Sequence, residues 1–186
     1  MSRPLLVFED INAVPRRRLF SIRNVSVMAT PYAWLSLPFF CVLGFLISSG
    51  LESEDSLMGR IVTGLGFGLL LSLTNTIHSA GHLVAAGMVG APMETLLLTS
   101  TRDVTLYHQG KARPSKWMFI GRSLGGPIAN FAAGGVLFGL WYLSQIRWFL
   151  FFSGFNLAIG LWTLCPIPSM DGWVIWGELF GFRRKG

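Results

Sequence analysis

Four long stretches without a charged side chain constrain the fold of this chain more than any other feature. Lys, Arg, Asp and Glu are all missing from residues 24–51, 61–93, 123–146 and 148–170. Each stretch is longer than the roughly 20 apolar residues that a helix needs to cross about 30 Å of hydrocarbon. Every backbone amide in hydrocarbon needs an internal partner, so runs of this kind predict helices rather than strands.

The composition supports burial of these helices in lipid. Of the 186 residues, 52% are hydrophobic and only 13% are charged, which leaves too few polar side chains to cover a water-soluble domain. We therefore predict an all-α polytopic membrane protein with about four transmembrane helices. These form a domain at 28–180, between an amino-terminal segment at 1–27 and a basic tail at 181–186. The predicted spans are about 28–48, 61–86, 126–144 and 148–165.

The net charge of +6 is concentrated in alternate segments of the chain. Thirteen of the fifteen basic residues precede the first span, separate the second span from the third, or follow the fourth. Such segments share one side of the membrane, and the positive-inside rule makes that side cytoplasmic, with both termini inside. We therefore expect these charges to orient the protein in a lipid bilayer, and we expect no nucleic-acid partner. The thirteen residues are Arg3, Arg16, Arg17, Arg18, Arg23, Arg102, Lys111, Arg113, Lys116, Arg122, Arg183, Arg184 and Lys185.

Two segments outside the spans have patterns of their own. Residues 94–116 are rich in β-prone side chains and also contain Gly110 and Pro114, which predicts a short strand or hairpin before the third span. In residues 1–27, apolar side chains near the arginines at 16–18 leave two interpretations open: a segment lying on the lipid interface, or a solvated arm. The apolar side chains are Phe8, Leu19, Phe20 and Ile22.

Two histidines in the second span are the first candidates for chemistry. His78 and His82 are four residues apart, so both imidazoles lie on one helical face, about one turn apart, where they can share a metal ion. Ionisable residues inside a membrane are costly and are functional candidates by default. The alternative is that each imidazole hydrogen-bonds a neighbouring helix.

An acidic residue after the fourth span supplies a third candidate ligand. Pro166 and Pro168 cannot continue a regular helix, so the chain bends and Asp171 can turn back toward the helices. His78 and Cys165 each lie 18 residues, or about 27 Å of helix, beyond the charged residue that begins their span. The candidate ligands therefore lie at matching depth. Two imidazoles and one carboxylate with an open fourth position form a known catalytic zinc arrangement that activates water.

Three short motifs follow one another along the chain: HSAGH at 78–82, GPIAN at 126–130 and PIPSMDG at 166–172. They resemble the His-Glu-x-x-His, Gly-Pro-x-x-Asn and Pro-x-x-Pro-Leu-Asp-Gly motifs of the site-2 protease family of intramembrane zinc metalloproteases. The resemblance covers roughly residues 60–175. The order of the motifs makes it specific, since any one of them alone would be a weak signal.

The resemblance implies a metalloprotease core of three helices, with zinc held by His78, His82 and Asp171. The β-prone segment before the third span also fits the layout of the family. We expect a multi-pass protein of the plasma membrane of a prokaryote. The motif residues with an implied structural role are Gly126, Pro127, Asn130, Pro166, Pro168 and Gly172.

Two positions depart from the family pattern. Ser79 occupies the position of the catalytic glutamate, which takes a proton from the attacking water and returns it to the leaving amine. A serine hydroxyl has no comparable basicity near neutral pH, and general acid–base catalysis is worth about 10²–10⁴-fold, so slow turnover at best is expected. Thr163 occupies the position of an asparagine that resembles a substrate-holding residue.

Three functions remain open from the sequence. The first, which we favour, is a proteolytically impaired pseudoprotease that serves as a binding or accessory subunit for other membrane proteins or transmembrane peptide segments. The second is an active intramembrane zinc metalloprotease that uses another base. The third is a cofactor-ligating subunit of a membrane assembly, in which His78 or His82 holds a porphyrin-type group.

Overall fold

The computed structural model describes residues 14–22, 24–51, 56–90, 93–100, 103–107 and 115–181. Five helices and four strands are assigned within these ranges, together with a short 3-10 turn at Ala33–Leu35. In chain order they are β1 Arg17–Ile22, β2 Val25–Ala29, α1 Ser36–Leu51, α2 Leu57–Met88, β3 Met93–Leu98, β4 Asp103–Tyr107, α3 Lys116–Ser144, α4 Arg147–Thr163 and α5 Asp171–Phe180. Several residues used in the sequence predictions lie outside the described residues: Arg3, Phe8, Arg23, Arg102, Gly110, Lys111, Arg113, Pro114, Arg183, Arg184 and Lys185.

Three helices in the described part of the chain are long and apolar enough to cross a membrane, by length and composition. They are Ala33–Gly50, Leu57–Met88 and Lys116–Ser144. This confirms a helical protein with membrane-spanning character. Helix α4 has 17 residues and is not among the three, so a fourth span remains a prediction.

The chain divides into two compact units, and the first contains residues 1–75 and 96–104. Its strands β1 and β2 pair antiparallel, with Arg17 opposite Ala29 and Ile22 opposite Val25. The amide of Thr30, just after β2, donates to the Leu98 carbonyl of β3 at 3.0 Å. The strand order is β1-β2-β3-β4. Strands β3 and β4 confirm the predicted strand or hairpin before the third span.

The beginning of the first predicted span is wrong, because β2 occupies the residues around Met28. Val25 and Val27 are buried and alternate with less buried neighbours, which is the period of a strand. Pro31 follows and disfavours a helical backbone at the residue before it. Helix α1 therefore begins at Ser36. Pro38, its third residue, lies in the first turn, where no amide hydrogen is required.

The second unit contains residues 76–95 and 105–186, and so the carboxyl-terminal part of α2 together with α3, α4 and α5. Helix α3 begins at Lys116, ten residues before the predicted start of the third span at Gly126. The Ser115 side chain caps it by accepting from the Met118 amide. The length of an apolar run does not show whether its helix continues into a neighbouring charged segment. Because α3 begins earlier than the apolar run, Pro127 lies inside the helix and not in its first turn.

Helices α3 and α4 form an antiparallel pair. Only Gln145 and Ile146 separate them, and Gln145 has a left-handed backbone with φ of 57°. The buried Ser153 hydroxyl of α4 donates to the Gly134 carbonyl of α3 at 2.8 Å. This confirms the predicted short turn and antiparallel packing.

Helix α5 was not predicted, and it places the third candidate ligand. The chain leaves α4 after Thr163 and begins α5 at Asp171. The Trp176 indole of α5 donates to the Leu164 carbonyl at 2.8 Å, which holds the new helix against the end of α4. A Cβ at Gly172 would collide with the Leu164 carbonyl, so this motif glycine permits the sharp return of the chain.

Candidate metal centre

Three side chains from two helices of the second unit converge on one point. The Nε2 atom of His78 lies 3.0 Å from Asp171 Oδ2, and the Nε2 atom of His82 lies 3.3 Å from Asp171 Oδ1. The two Nε2 atoms are 3.1 Å apart. The structure thus brings together the three ligands that the motif resemblance implied, from positions 93 residues apart in sequence.

The spacing of these atoms fits a tetrahedral metal ion. Ligands at about 2.0–2.1 Å from zinc in a tetrahedral arrangement are about 3.3 Å from one another. The contacts of 3.0, 3.1 and 3.3 Å are close to this value, and the two that involve Asp171 end on different oxygens of its carboxylate. Two nitrogens and one oxygen form a donor set that suits zinc, and the residues present therefore fit the metal.

The site is largely enclosed. The side chains of His78, His82 and Asp171 are 12%, 6% and 18% exposed. Burial alone would raise the pKa of the Asp171 carboxyl, but hydrogen bonds and charge interactions with the two imidazoles outweigh it and hold that pKa below its usual value. The carboxyl group at this position is therefore held as a carboxylate, which is the form that ligates a cation.

The backbone of α3 fixes the orientation of His82. The Nδ1 atom of His82 lies 2.7 Å from the Arg122 carbonyl oxygen. A carbonyl can only accept, so Nδ1 of His82 carries a hydrogen, and Nε2 is the ring nitrogen that faces Asp171 and can ligate a metal. Pro127 lies inside α3 and has no amide hydrogen, so it donates no helical bond to the Ser123 carbonyl four residues before it.

Gly126 gives the two imidazoles their room. A Cβ at this position would lie 2.5 Å from both Cε1 and Nε2 of His78 and 2.6 Å from Nε2 of His82. These distances are far below van der Waals contact, so only glycine allows α3 to approach the imidazoles this closely. The sequence identified Gly126 as a motif residue but gave no sign that it touches both ligands.

Asn130 lies one turn beyond Gly126 on the same face of α3. It is completely buried, and its Nδ2 atom lies 3.3 Å from Nδ1 of His78. Its Oδ1 atom is buried without a hydrogen-bond partner among the described residues. The amide therefore meets the ring of His78 on the side opposite Asp171.

The two departures from the family pattern have different surroundings. Ser79 is buried beside the two histidines on α2, at 5% exposure. Thr163 is half-buried at the last position of α4, where its hydroxyl donates to the Gly160 carbonyl at 3.1 Å. Pro166 and Pro168 lie in the connection between α4 and α5, as their inability to continue a helix predicts.

The structure shows that a further acidic residue of the same unit is buried, which the sequence did not indicate. Glu178 of α5 is only 3% exposed. It follows Asp171 by seven residues and so lies on the same face of α5, about 10 Å further along the axis. The seven-residue spacing was visible in the sequence, but the sequence did not show that α5 exists as a separate helix.

The fold is similar to that of a solved site-2 protease. The site-2 protease from Methanocaldococcus jannaschii matches with a TM-score of 0.60 and 22% sequence identity, over 92% of this chain and 74% of that one. No protein-family model and no curated protein matches the sequence. The chain therefore has a site-2-protease-like fold, which confirms the resemblance seen in the three motifs.

Proposed function

We propose that this protein binds one zinc ion through His78, His82 and Asp171, and that it acts in the membrane by binding other proteins or transmembrane segments without cutting them. One observation carries the proposal: two imidazoles and a carboxylate converge with contacts of 3.0–3.3 Å, and the residue after the first histidine is Ser79. The convergence supports metal binding, and serine at this position supports a role without proteolysis.

The ligand set supports the first half of the proposal. When bound, zinc would act there as a Lewis acid that polarises a carbonyl or an attacking water. The residues of this chain hold the ion, and Asp171 neutralises part of its charge. The Nε2 atoms of the two histidines are 3.1 Å apart, and each lies within 3.3 Å of an Asp171 oxygen. This crowding favours a small cation over a porphyrin-type group ligated by the Nε2 of one histidine.

The absence of a base at position 79 supports the second half. Asp171 faces the two imidazoles and is itself a proposed ligand, so it is not available to shuttle protons. Glu178 is about 10 Å further along α5, which is beyond the hydrogen-bond distance that a general base requires. Neither of these carboxylates replaces the glutamate that the family pattern places at 79.

The outer surface is suited to partners or lipid. The chain has 7 Trp and 15 Phe, and Trp34, Trp117 and Trp162 are each more than half exposed. Lipid covers such a surface as well as a protein does, so the aromatic residues alone do not decide. The combination of Ser79 with Thr163 supports the non-proteolytic role, because loss of both the base and the substrate-holding amide is expected once selection for proteolysis has lapsed.

An active intramembrane protease is the second candidate, and the intact ligand triad favours it. Measured cleavage of a helical transmembrane substrate separates the two. Under the proposal, the purified chain cleaves such a substrate no faster than a His78→Ala variant. Metal-dependent cleavage clearly above that control would establish the enzyme instead.

We expect purified protein to contain one zinc ion per chain and to lose it when a ligand is removed. His82→Ala should lower the zinc content to near zero after dialysis, since a site with two remaining ligands holds zinc far less tightly. Zinc is measured by elemental analysis against protein concentration. His108→Ala, which removes the histidine outside the triad, is the control and should keep its metal. Equal zinc content in both variants would contradict the assignment.

We expect the segment between β4 and α3 to lie on the cytoplasmic side, as the positive-inside rule requires. Single cysteines at positions 111 and 54, placed in a background lacking Cys41 and Cys165, provide a matched pair. An impermeant thiol reagent added to intact cells should modify position 54 and spare position 111. Modification at 111 from outside would reverse the orientation.

A further inference from the structure

We propose that Asn130 is a positioning residue for metal binding at His78. When the ion is bound, the Oδ1 atom of Asn130 accepts a hydrogen bond from Nδ1 of His78 and so directs the Nε2 lone pair at the ion. The inference rests on the proposed zinc site and assigns a role that the motif alone does not give to Asn130.

His82 shows what a ligand in this site requires. Its Nδ1 hydrogen is held by the Arg122 carbonyl at 2.7 Å, so its Nε2 is free to ligate. Metal-bound histidines generally donate their second ring N–H to a fixed acceptor of this kind. His78 must reach the same tautomer if its Nε2 is to join His82 and Asp171 around one ion.

The group that faces Nδ1 of His78 is an amide, which can either donate or accept. In the structure, Nδ2 of Asn130 lies 3.3 Å from this nitrogen, while Oδ1 has no hydrogen-bond partner in the described part of the chain. With Nδ2 as donor, Nδ1 of His78 must accept, and its hydrogen must then sit on Nε2. That tautomer has no lone pair for a metal.

Ligation through Nε2 of His78 needs the other tautomer, with the hydrogen on Nδ1 and the lone pair on the nitrogen that faces Asp171 and His82. The two ends of an asparagine amide have nearly the same shape. Rotation of the Asn130 amide by 180° puts Oδ1 where Nδ2 was and gives that hydrogen an acceptor.

The burial of Asn130 makes its hydrogen bond to His78 important for metal binding. Asn130 is 0% exposed, so water does not take the place of the missing acceptor. An N–H of His78 left without a partner would weaken ligation, and outer partners of metal-bound histidines are typically worth 10–100-fold in metal affinity. Each orientation leaves one end of the amide without a partner among the described residues, so the state of His78 decides between them.

Two substitutions at Asn130 distinguish a role as hydrogen-bond acceptor for His78 from a role in packing alone. Asn130→Leu keeps a similar volume but has no acceptor, and we expect it to weaken zinc binding by about 10–100-fold. Asn130→Asp keeps an oxygen at the required position and should bind within about tenfold of the parent chain. Asn156→Leu, which exchanges a completely buried asparagine on α4 whose Nδ2 donates to Phe152, is the packing control and should keep parental affinity.

Affinity is measured by competition with a chromophoric zinc chelator, and the hydrogen itself by nitrogen-15 NMR of labelled histidines. In zinc-loaded parent protein the Nδ1 hydrogen of His78 should exchange slowly with water, as that of His82 does. In zinc-loaded Asn130→Leu it should exchange much faster while the His82 signal is unchanged. Parental affinity in Asn130→Leu, or an equal loss in Asn130→Asp, would overturn the inference while the zinc site stands. A parent chain that binds no zinc would overturn both.

Discussion

Replacement of Ser79 by glutamate is expected to raise the rate of substrate cleavage by about 10²–10⁴-fold, which is the range that general acid–base catalysis contributes. Position 79 follows His78 on α2, and its side chain is buried. The family pattern places the proton-transferring glutamate at this position. It can take a proton from the attacking water and return it to the leaving amine. Cleavage of a helical transmembrane substrate in detergent or liposomes measures the effect.

A matched control isolates the proton shuttle from the change in size. Ser79→Gln has the shape of Ser79→Glu without its basicity, so it should remain at the level of the parent chain. Both variants enlarge a buried side chain, which costs about 1–3 kcal/mol of stability, so thermal unfolding must show that each remains folded. Equal cleavage by the parent chain and Ser79→Glu, both above His78→Ala, would show that this protein already has a working base.

Replacement of Gly126 by alanine is expected to remove zinc binding, with a loss of affinity of about 100-fold or more. The added Cβ would lie 2.5 Å from Nε2 of His78 and 2.6 Å from Nε2 of His82, so both rings must turn out of the triad. The ends of the rings can give way without displacing α3. Alanine also favours a helix by about 1 kcal/mol over glycine. We therefore expect a folded protein without metal.

Gly135→Ala is the control for this variant. Gly135 lies on the same helix, and a Cβ there would meet nothing within 4 Å. It should retain zinc and gain slightly in thermal stability, because only the helix preference changes. Zinc affinity by chelator competition and the unfolding temperature of the metal-free protein together decide the outcome. Unchanged zinc affinity in Gly126→Ala would mean that the metal does not lie at the convergence of the two imidazoles.

Helix boundaries show where the sequence alone was sufficient and where it was not. The short connection after Ser144 and the strands at 93–98 and 103–107 were predicted, because turn residues and β-prone runs act locally. The start of α1 was wrong because β2 is as apolar as a membrane span and carries no charge either. Helix α3 begins ten residues before the predicted third span, and the charged residues in its first turns hid this extension in the sequence.

The candidate ligands were determined by the sequence. The spacing of His78 and His82 places both on one helix face whatever surrounds them, and the prolines before Asp171 make the chain bend. The sequence also shows serine at position 79, and the missing carboxylate there is the main reason to expect no proteolysis. The motif order pointed to the fold that the structural comparison confirmed.

Only the tertiary structure decided how the site is held. Asp171 comes within 3.0 Å of His78, which is 93 residues away in sequence. This contact depends on where α5 begins after the chain leaves α4 and turns back. The face of α3 that packs against α2 decides three contacts. Gly126 leaves space for both imidazole rings. The Arg122 carbonyl faces Nδ1 of His82, and the Asn130 amide faces Nδ1 of His78. A sequence pattern records the order of residues along each helix, whereas these contacts are set by the packing of one helix against another.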